Sequence, residues 1–211
     1  MTSIANASAG SYASGTSDVP LLGDTIGANL EATVTRFGDR EALVDASTGR
    51  RLTYAELDAA VDDVARGLLA LDVGKGDRVG IWAPNCVEWV LVQYATAKIG
   101  AILVNVNPAY RTHEVGFVLR QSGVSVLVSA TTFKTSNYAA MVEEVRGDCP
   151  VLREVVLIGT PSWAALIEGA ERVQGDAASP AASSSSHSGD SNSTTRSSAS
   201  VRGRTSSIIA A

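Results

Sequence analysis

From Ile26 onward the apolar residues alternate between a spacing of about 3.6 positions and one of about 2, the periods of helices and strands. Ile26, Leu30, Val34 and Phe37 recur at helical spacing, and Gly38 follows as a stop, which predicts a short amphipathic helix. Glu41 to Val44 reads as a strand, Ser47-Thr48-Gly49 as a turn, and Arg51 to Thr53 as the returning partner of a hairpin. Thr53 and Glu56 then form a T-x-x-E capping box, in which hydroxyl and carboxylate each accept from an otherwise orphaned backbone N–H. Leu57, Val61, Val64, Leu68 and Leu71 share one face of the helix that it opens. The stripe is too short for a coiled coil.

The pattern then repeats in strand and helix cycles. The turn Gly74-Lys75-Gly76-Asp77 leads into a strand from Arg78 to Trp82; Pro84-Asn85 ends it, with Asn85 placed to cap the next helix. That helix, Val87 to Ile99, is apolar on nearly every side, which predicts burial between layers, and Gly100 closes it. Ala101 to Val106 reads as a buried parallel strand ended by Asn107-Pro108. A helix over Thr112 to Gln121, a strand over Val124 to Ser129, a helix over Asn137 to Arg146, a strand over Val155 to Ile158 and a short helix over Ser162 to Gly169 follow. Such alternation with short connections predicts an α/β fold, a mainly parallel sheet flanked by helices.

Composition divides the 211 residues into a flexible Ser-, Ala- and Gly-rich leader (1–23), a folded region (24–170) and a disordered low-complexity tail (171–211) that includes the serine run 183–186. The leader lacks the charged and apolar regions of a secretory signal. With 17 basic and 22 acidic residues the formal charge is −5, so nucleic acid is not an expected partner. No segment has the roughly 18 consecutive apolar residues of a membrane span. Two cysteines, Cys86 and Cys149, make neither a disulfide scaffold nor a four-cysteine zinc site, and a reduced, cytoplasmic protein is the simplest expectation.

The search for chemistry returns mainly exclusions. There is no G-x-x-x-x-G-K-[ST] loop and no G-x-S-x-G elbow. The run from Gly74 to Gly80 has its third glycine one place late for a dinucleotide fingerprint and precedes a strand, so it reads as a turn. His113 reads as a first-turn surface histidine, and His187 lies in the serine tail. Cys86, at a strand-to-helix turn, is either a thiolate favoured by a helix N-terminus or a small buried hydrophobe. Lys98 complements the end of its helix. Arg111, just past a strand end, stands where open α/β sheets meet their ligands. On their own these residues describe a domain with a pocket edge and no self-sufficient catalytic set.

Three motifs occur in order: L-T-Y-x-E-L at Leu52 to Leu57, G-D-R-V-G-I-W-x-P-N at Gly76 to Asn85, and A-K-I-G-A-I-L-V-N-V-N-P-A-Y-R ending at Arg111. Together they resemble the opening of acyl-CoA synthetases of the adenylate-forming, AMP-binding superfamily, most closely the fatty-acyl branch, over about Leu21 to Gly169. The resemblance implies the first N-terminal subdomain of those enzymes, which use ATP and Mg²⁺ to convert a carboxylic acid to an acyl-adenylate and then pass the acyl group to coenzyme A. Four later features of the family have no counterpart in these 211 residues: the Y-T-S-G-T-T-G-x-P-K-G loop, the Y-G-x-T-E motif, the T-G-D aspartate and the C-terminal catalytic lysine. No catalytic residue and no metal ligand is therefore assigned, and no cofactor is expected for this chain alone. Arg111, in the N-P-A-Y-R turn, is the one candidate binding residue, toward the coenzyme A side. The resemblance implies a truncated fatty-acyl-CoA synthetase, inactive alone; the alternatives are a non-catalytic module complementing a separately encoded remainder, or a remnant without function. Expected partners are a second copy or the missing part of the ligase, with apolar faces such as that of Val87 to Ile99 left exposed.

Overall fold

The computed structural model describes residues 19–178. Helix α1 (Ile26–Phe37) begins at Thr25, whose hydroxyl accepts from Ala28 N at 3.1 Å. Strands β1 (Glu41–Val44) and β2 (Arg51–Thr53) form an antiparallel hairpin. Asp45 ties its turn by accepting from the hydroxyl and backbone N–H of Ser47 and from Thr48, and these bonds pull its carboxyl down to about 2. Helix α2 (Tyr54–Ala70) opens with the complete capping box: Thr53 Oγ1 accepts from Glu56 N at 3.2 Å, and Glu56 Oε2 accepts from Thr53 N at 2.8 Å.

Four strands make the central sheet: β3 (Arg78–Trp82), β4 (Ile102–Asn105), β5 (Val126–Ser129) and β8 (Glu154–Leu157). Their spatial order is β4-β3-β5-β8, and every pair is parallel. Helix α3 (Val87–Ile99) connects β3 to β4, and α4 (Thr112–Ser122) carries the chain back past β3 to β5. The hairpin β6 (Thr132–Phe133) and β7 (Ser136–Asn137) and helix α5 (Tyr138–Arg146) lead on to β8, and α6 (Pro161–Ala178) follows.

Because the crossing direction reverses at β4, the helices divide between the two faces. Val79, Ile81, Val126 and Val128 pack with α1, α2, α3 and Leu166 of α6 on one face; Trp82 and Leu127 pack with α4 and α5 on the other. Alternation along β3 and β5 supplies both cores, as expected of strands buried on both sides.

The expected parallel α/β fold is the observed one, with local differences. β4 was expected to be buried, but it is an edge strand and Ile102 is 52% exposed. Its hydrophobic run matches that of a central strand, and only the order of strands places it outside. Asn85 does not cap α3; Cys86 holds the N-cap position without a side-chain bond. Nor does α3 present an open apolar face: its apolar residues are buried or half-buried and only Gln93 is exposed. The β6–β7 hairpin was not anticipated. α6 continues past Gly169 to Ala178, because nothing stops it decisively before Ser179-Pro180, so the expected tail begins inside a helix. The remainder of the tail (179–211) and residues 1–18 of the leader lie outside the described residues.

Two details hold the helical layer together. At Gly67 a Cβ would stand 2.2 Å from the carbonyl oxygen of Leu166, so only glycine permits this crossing of α2 and α6. Lys98, 5% exposed, extends from α3 to Asp58 and Asp62 of α2 at 2.7 and 2.6 Å, with Glu31 of α1 at 4.0 Å. Burial alone lowers its pKa, but the hydrogen bonds and charges of Asp58 and Asp62 outweigh that and hold it above the ordinary lysine value. Instead of merely complementing its own helix dipole, Lys98 clasps three helices.

Gly67→Ala is expected to lower stability by about 2 kcal/mol through overpacking, read as a lower urea midpoint with an unchanged slope. Lys98→Met is expected to cost about 2–3 kcal/mol, because two half-exposed carboxylates lose their counter-ion. Since the folded-state pKa of Lys98 is raised, its stabilisation is complete below about pH 10.5 and disappears as pH climbs through the folded value. Denaturation of both proteins from pH 7 to 11 should show the difference between them closing only at the alkaline end.

Candidate functional site

In an open parallel sheet the carboxyl ends of the strands converge on one edge, and ligands bind there where neighbouring connections depart to opposite faces. Here that place lies between β3 and β5. Its floor is closed: the Trp82 carbonyl accepts from Ala130 N at 3.0 Å and from Ser129 Oγ at 3.2 Å. The material available to a ligand is therefore the set of turns above the floor.

The largest of these is Asn107-Pro108-Ala109-Tyr110-Arg111. Asn107 folds it, its side chain accepting from Ala109 N at 2.9 Å and its carbonyl from Tyr110 N at 3.0 Å. Glu114 Oε2 accepts from Arg111 N at 3.0 Å, which supplies the carboxylate half of a capping box for α4. Its own backbone N–H first, then the Arg111 N–H and the nearby charges of His113 and Arg111, lower the Glu114 pKa against a small opposing effect of burial. The amides of Ala109, Tyr110 and Arg111 are thus consumed internally.

Trp82 and Tyr138, both fully buried, stack face to face beneath this turn with ring centroids 3.7 Å apart and planes 7° apart. The indole N–H of Trp82 donates to the Asn107 carbonyl at 3.1 Å, and the Tyr138 hydroxyl to the Pro108 carbonyl at 2.5 Å. Burial raises the phenol pKa, with the Arg111 charge pulling the other way.

Arg111, the sequence candidate, is exposed at the start of α4, and its Nη1 donates to Ser136 Oγ on β7 at 2.7 Å. The tip of the β6–β7 hairpin adds a second cation. Lys134, exposed and with φ 53°, lies with its ammonium 5.3 Å from the Phe133 ring centre. Sequence reasoning missed Lys134, Ser136 and Tyr138, because the tight turn Lys134-Thr135 has none of the Gly or Asn that normally marks positive φ. Arg111 and Lys134 are exposed cations on the two turns that the Arg111–Ser136 bond joins.

The other candidates fall away. His113 is exposed on α4 beside a shallow groove of about 500 Å³ lined by Tyr110, Glu114, Phe117, Val118 and Gln121. Burial raises the Cys86 thiol pKa, with the Trp89 backbone N–H opposing and the Glu88 charge adding, so the helix N-terminus does not make a thiolate. No group of three or more His, Cys, Asp or Glu could hold a metal among the described residues. No described helix is long and apolar enough to cross a membrane.

Residues 30–195 match the family model described as AMP-binding enzyme. The chain belongs to this family. Among curated relatives of this AMP-binding chain, the medium-chain acyl-CoA ligase ACSF2 of mitochondria from Danio rerio is 47% identical over 140 residues, 66% of this chain and 23% of the relative. The Mus musculus ACSF2 is 46% identical over 144 residues, 68% and 23% of the two chains. The chain thus spans about a quarter of the length of these relatives. Among solved structures, the N-terminal domain of FACL13 from Mycobacterium tuberculosis superposes with a TM-score of 0.62 at 30% identity, covering 69% of this chain and 36% of that one. The long-chain-fatty-acid-CoA ligase FadD1 from Archaeoglobus fulgidus, at 21% identity, shares the fold with a TM-score of 0.65 over 75% and 32% of the two chains. The AMP-binding chain therefore corresponds to the N-terminal part of acyl-CoA ligases.

Cys86 should react with iodoacetamide more slowly at pH 7.4 than free glutathione does, and its rate should climb only as pH rises past about 9. Comparing pseudo-first-order alkylation rates from pH 7 to 10 measures this.

Proposed function

We propose that this chain is a supporting N-terminal part of a fatty-acyl-CoA ligase and does not complete the reaction alone. The observation that carries the reading is the match to acyl-CoA ligases together with an edge that lacks equipment for Mg·ATP. Phosphoryl chemistry needs converging N–H donors, cations and a carboxylate for magnesium. The amides of Ala109, Tyr110 and Arg111 are spent on Asn107 and Glu114, the Glu114 carboxylate is itself engaged in that cap, and no group of three or more metal-ligating side chains stands among the described residues. ATP and Mg²⁺ do not fit this edge, so no adenylation step passes through it.

The two exposed cations, Arg111 and Lys134, are suited to an anion. The proposed role of Arg111 is on the coenzyme A side: its remaining N–H donors and the Lys134 ammonium would meet a phosphate while Ser136 steadies the guanidinium. Chemistry on the acyl group belongs to residues supplied elsewhere in a whole ligase.

A second reading, a module that completes a separately encoded remainder, is favoured by unspent apolar surface. Among the described residues β4 has one unpaired edge, without charge or proline, and Phe117 on α4 is 52% exposed. For location, the two free cysteines fit any reducing compartment and the relatives bear mitochondrial names; imaging of the tagged chain decides between cytoplasm and mitochondria.

Titration calorimetry of ATP and Mg²⁺ into the chain should show no binding tighter than about 1 mM, about −4 kcal/mol. Co-expression with a chain carrying the later ligase motifs should restore coenzyme A thioester formation that neither chain shows alone. Micromolar ATP affinity for the single chain overturns the supporting role; absence of restored activity removes the second reading.

A further inference from the structure

Two stretches far apart in sequence meet at the N-P-A-Y-R turn: the end of β3, and the β6–β7 hairpin with the start of α5 that directly follows it. Together they make three directed bonds. Trp82 donates to the Asn107 carbonyl, Tyr138 donates to the Pro108 carbonyl, and Ser136 accepts from Arg111. Two successive carbonyls of an otherwise exposed turn are thus held from below by a pair of fully buried rings that also stack on each other. Burying an indole N–H and a phenol is costly unless each finds an acceptor, and only the turn in this position supplies both. Phenylalanine in place of Tyr138 would fill the same core without that requirement.

We infer that Tyr138 is a positioning residue, acting with Trp82 as a clamp that fixes the Asn107–Arg111 turn and so aims the Arg111 guanidinium across to Ser136. The inference rests on the proposed coenzyme A role of Arg111 for its purpose, but not for its mechanism. The rings set the backbone of the turn and Ser136 sets the side chain. Neither ring needs to touch a ligand, since both are covered by the turn they hold.

The test is amide exchange and ¹⁵N relaxation on the full chain, comparing wild type, Tyr138→Phe, Trp82→Phe and Ser136→Ala. Tyr138→Phe keeps the ring and should keep the fold. It is expected to speed exchange at Ala109, Tyr110 and Arg111 at least tenfold while the amides of α2 and β5 stay within twofold. The order parameter of the Arg111 side-chain Nε–H should fall from the rigid range to below about 0.6 in Tyr138→Phe and in Ser136→Ala, whereas only the former loosens the backbone. Trp82→Phe should loosen the same three amides. Unchanged exchange in the turn, or equal acceleration throughout α2 and β5, overturns the clamp. None of these readouts needs coenzyme A. If a coenzyme A titration gives the same shifts in wild type and Arg111→Ala while Tyr138→Phe still frees the turn, the ligand role fails and the clamp stands.

Discussion

Strand β3 must satisfy its backbone on two edges and its side chains on two faces at once, and the other layers take their places from that demand. Hydrogen bonds to β4 on one side and β5 on the other leave none of its ladder to water. Val79 and Ile81 point into the larger core, while Gly80 and Trp82 point into the smaller. Gly80 is narrow because Leu127 and Val124 fill the space a side chain would need. Trp82 is wide because it closes the carboxyl end of the strand and meets Tyr138. One strand of five residues thereby divides the helices into two layers and sets the depth of the edge above them.

The helical layer solves a different problem. α1 is a single short helix whose contact with the rest is limited, and it is secured by combining close approach with charge. Gly27 lets it come within van der Waals distance of Lys98, Leu30 is buried beside it, and Glu31 lies toward the same ammonium. The carboxylates of Asp58 and Asp62 remain partly wet, which reduces the desolvation that a fully buried pair would suffer. Because such a pair is directional, it also fixes the rotation of α3 against α2, where a purely apolar face would tolerate slippage.

Most elements were legible because local chemistry and global need agreed. The Thr53–Glu56 box, the stripe from Leu57 to Leu71 and the glycine stop after α3 each state in a few residues what the fold then uses. What was illegible depended on residues far apart. Nothing local distinguishes the edge strand Ile102–Asn105 from a central one, since its position follows from the order in which β3 acquires neighbours. Asp58 and Asp62 read as ordinary polar positions beside a core stripe until α3 delivers Lys98, 40 and 36 residues later respectively. At the site, Arg111 was legible from its place after a strand and from the N-P-A-Y-R motif. Tyr138 was not, because its partner Pro108 lies 30 residues upstream and contributes only a carbonyl.

The strand order also has a consequence for synthesis. β3 and β4 leave the ribosome together with their connecting helix, but the residue that bonds the far side of Trp82, Ser129, is 47 residues behind it. At about 5–20 residues per second this leaves one edge of the central strand waiting for roughly 2–9 s, with Val79 and Ile81 still lacking Val126 and Val128. During that interval the nascent domain is a two-stranded layer with a bare flank beside its most apolar sequence. Its hazard on the ribosome is governed less by how many residues it has than by which strand is inserted third.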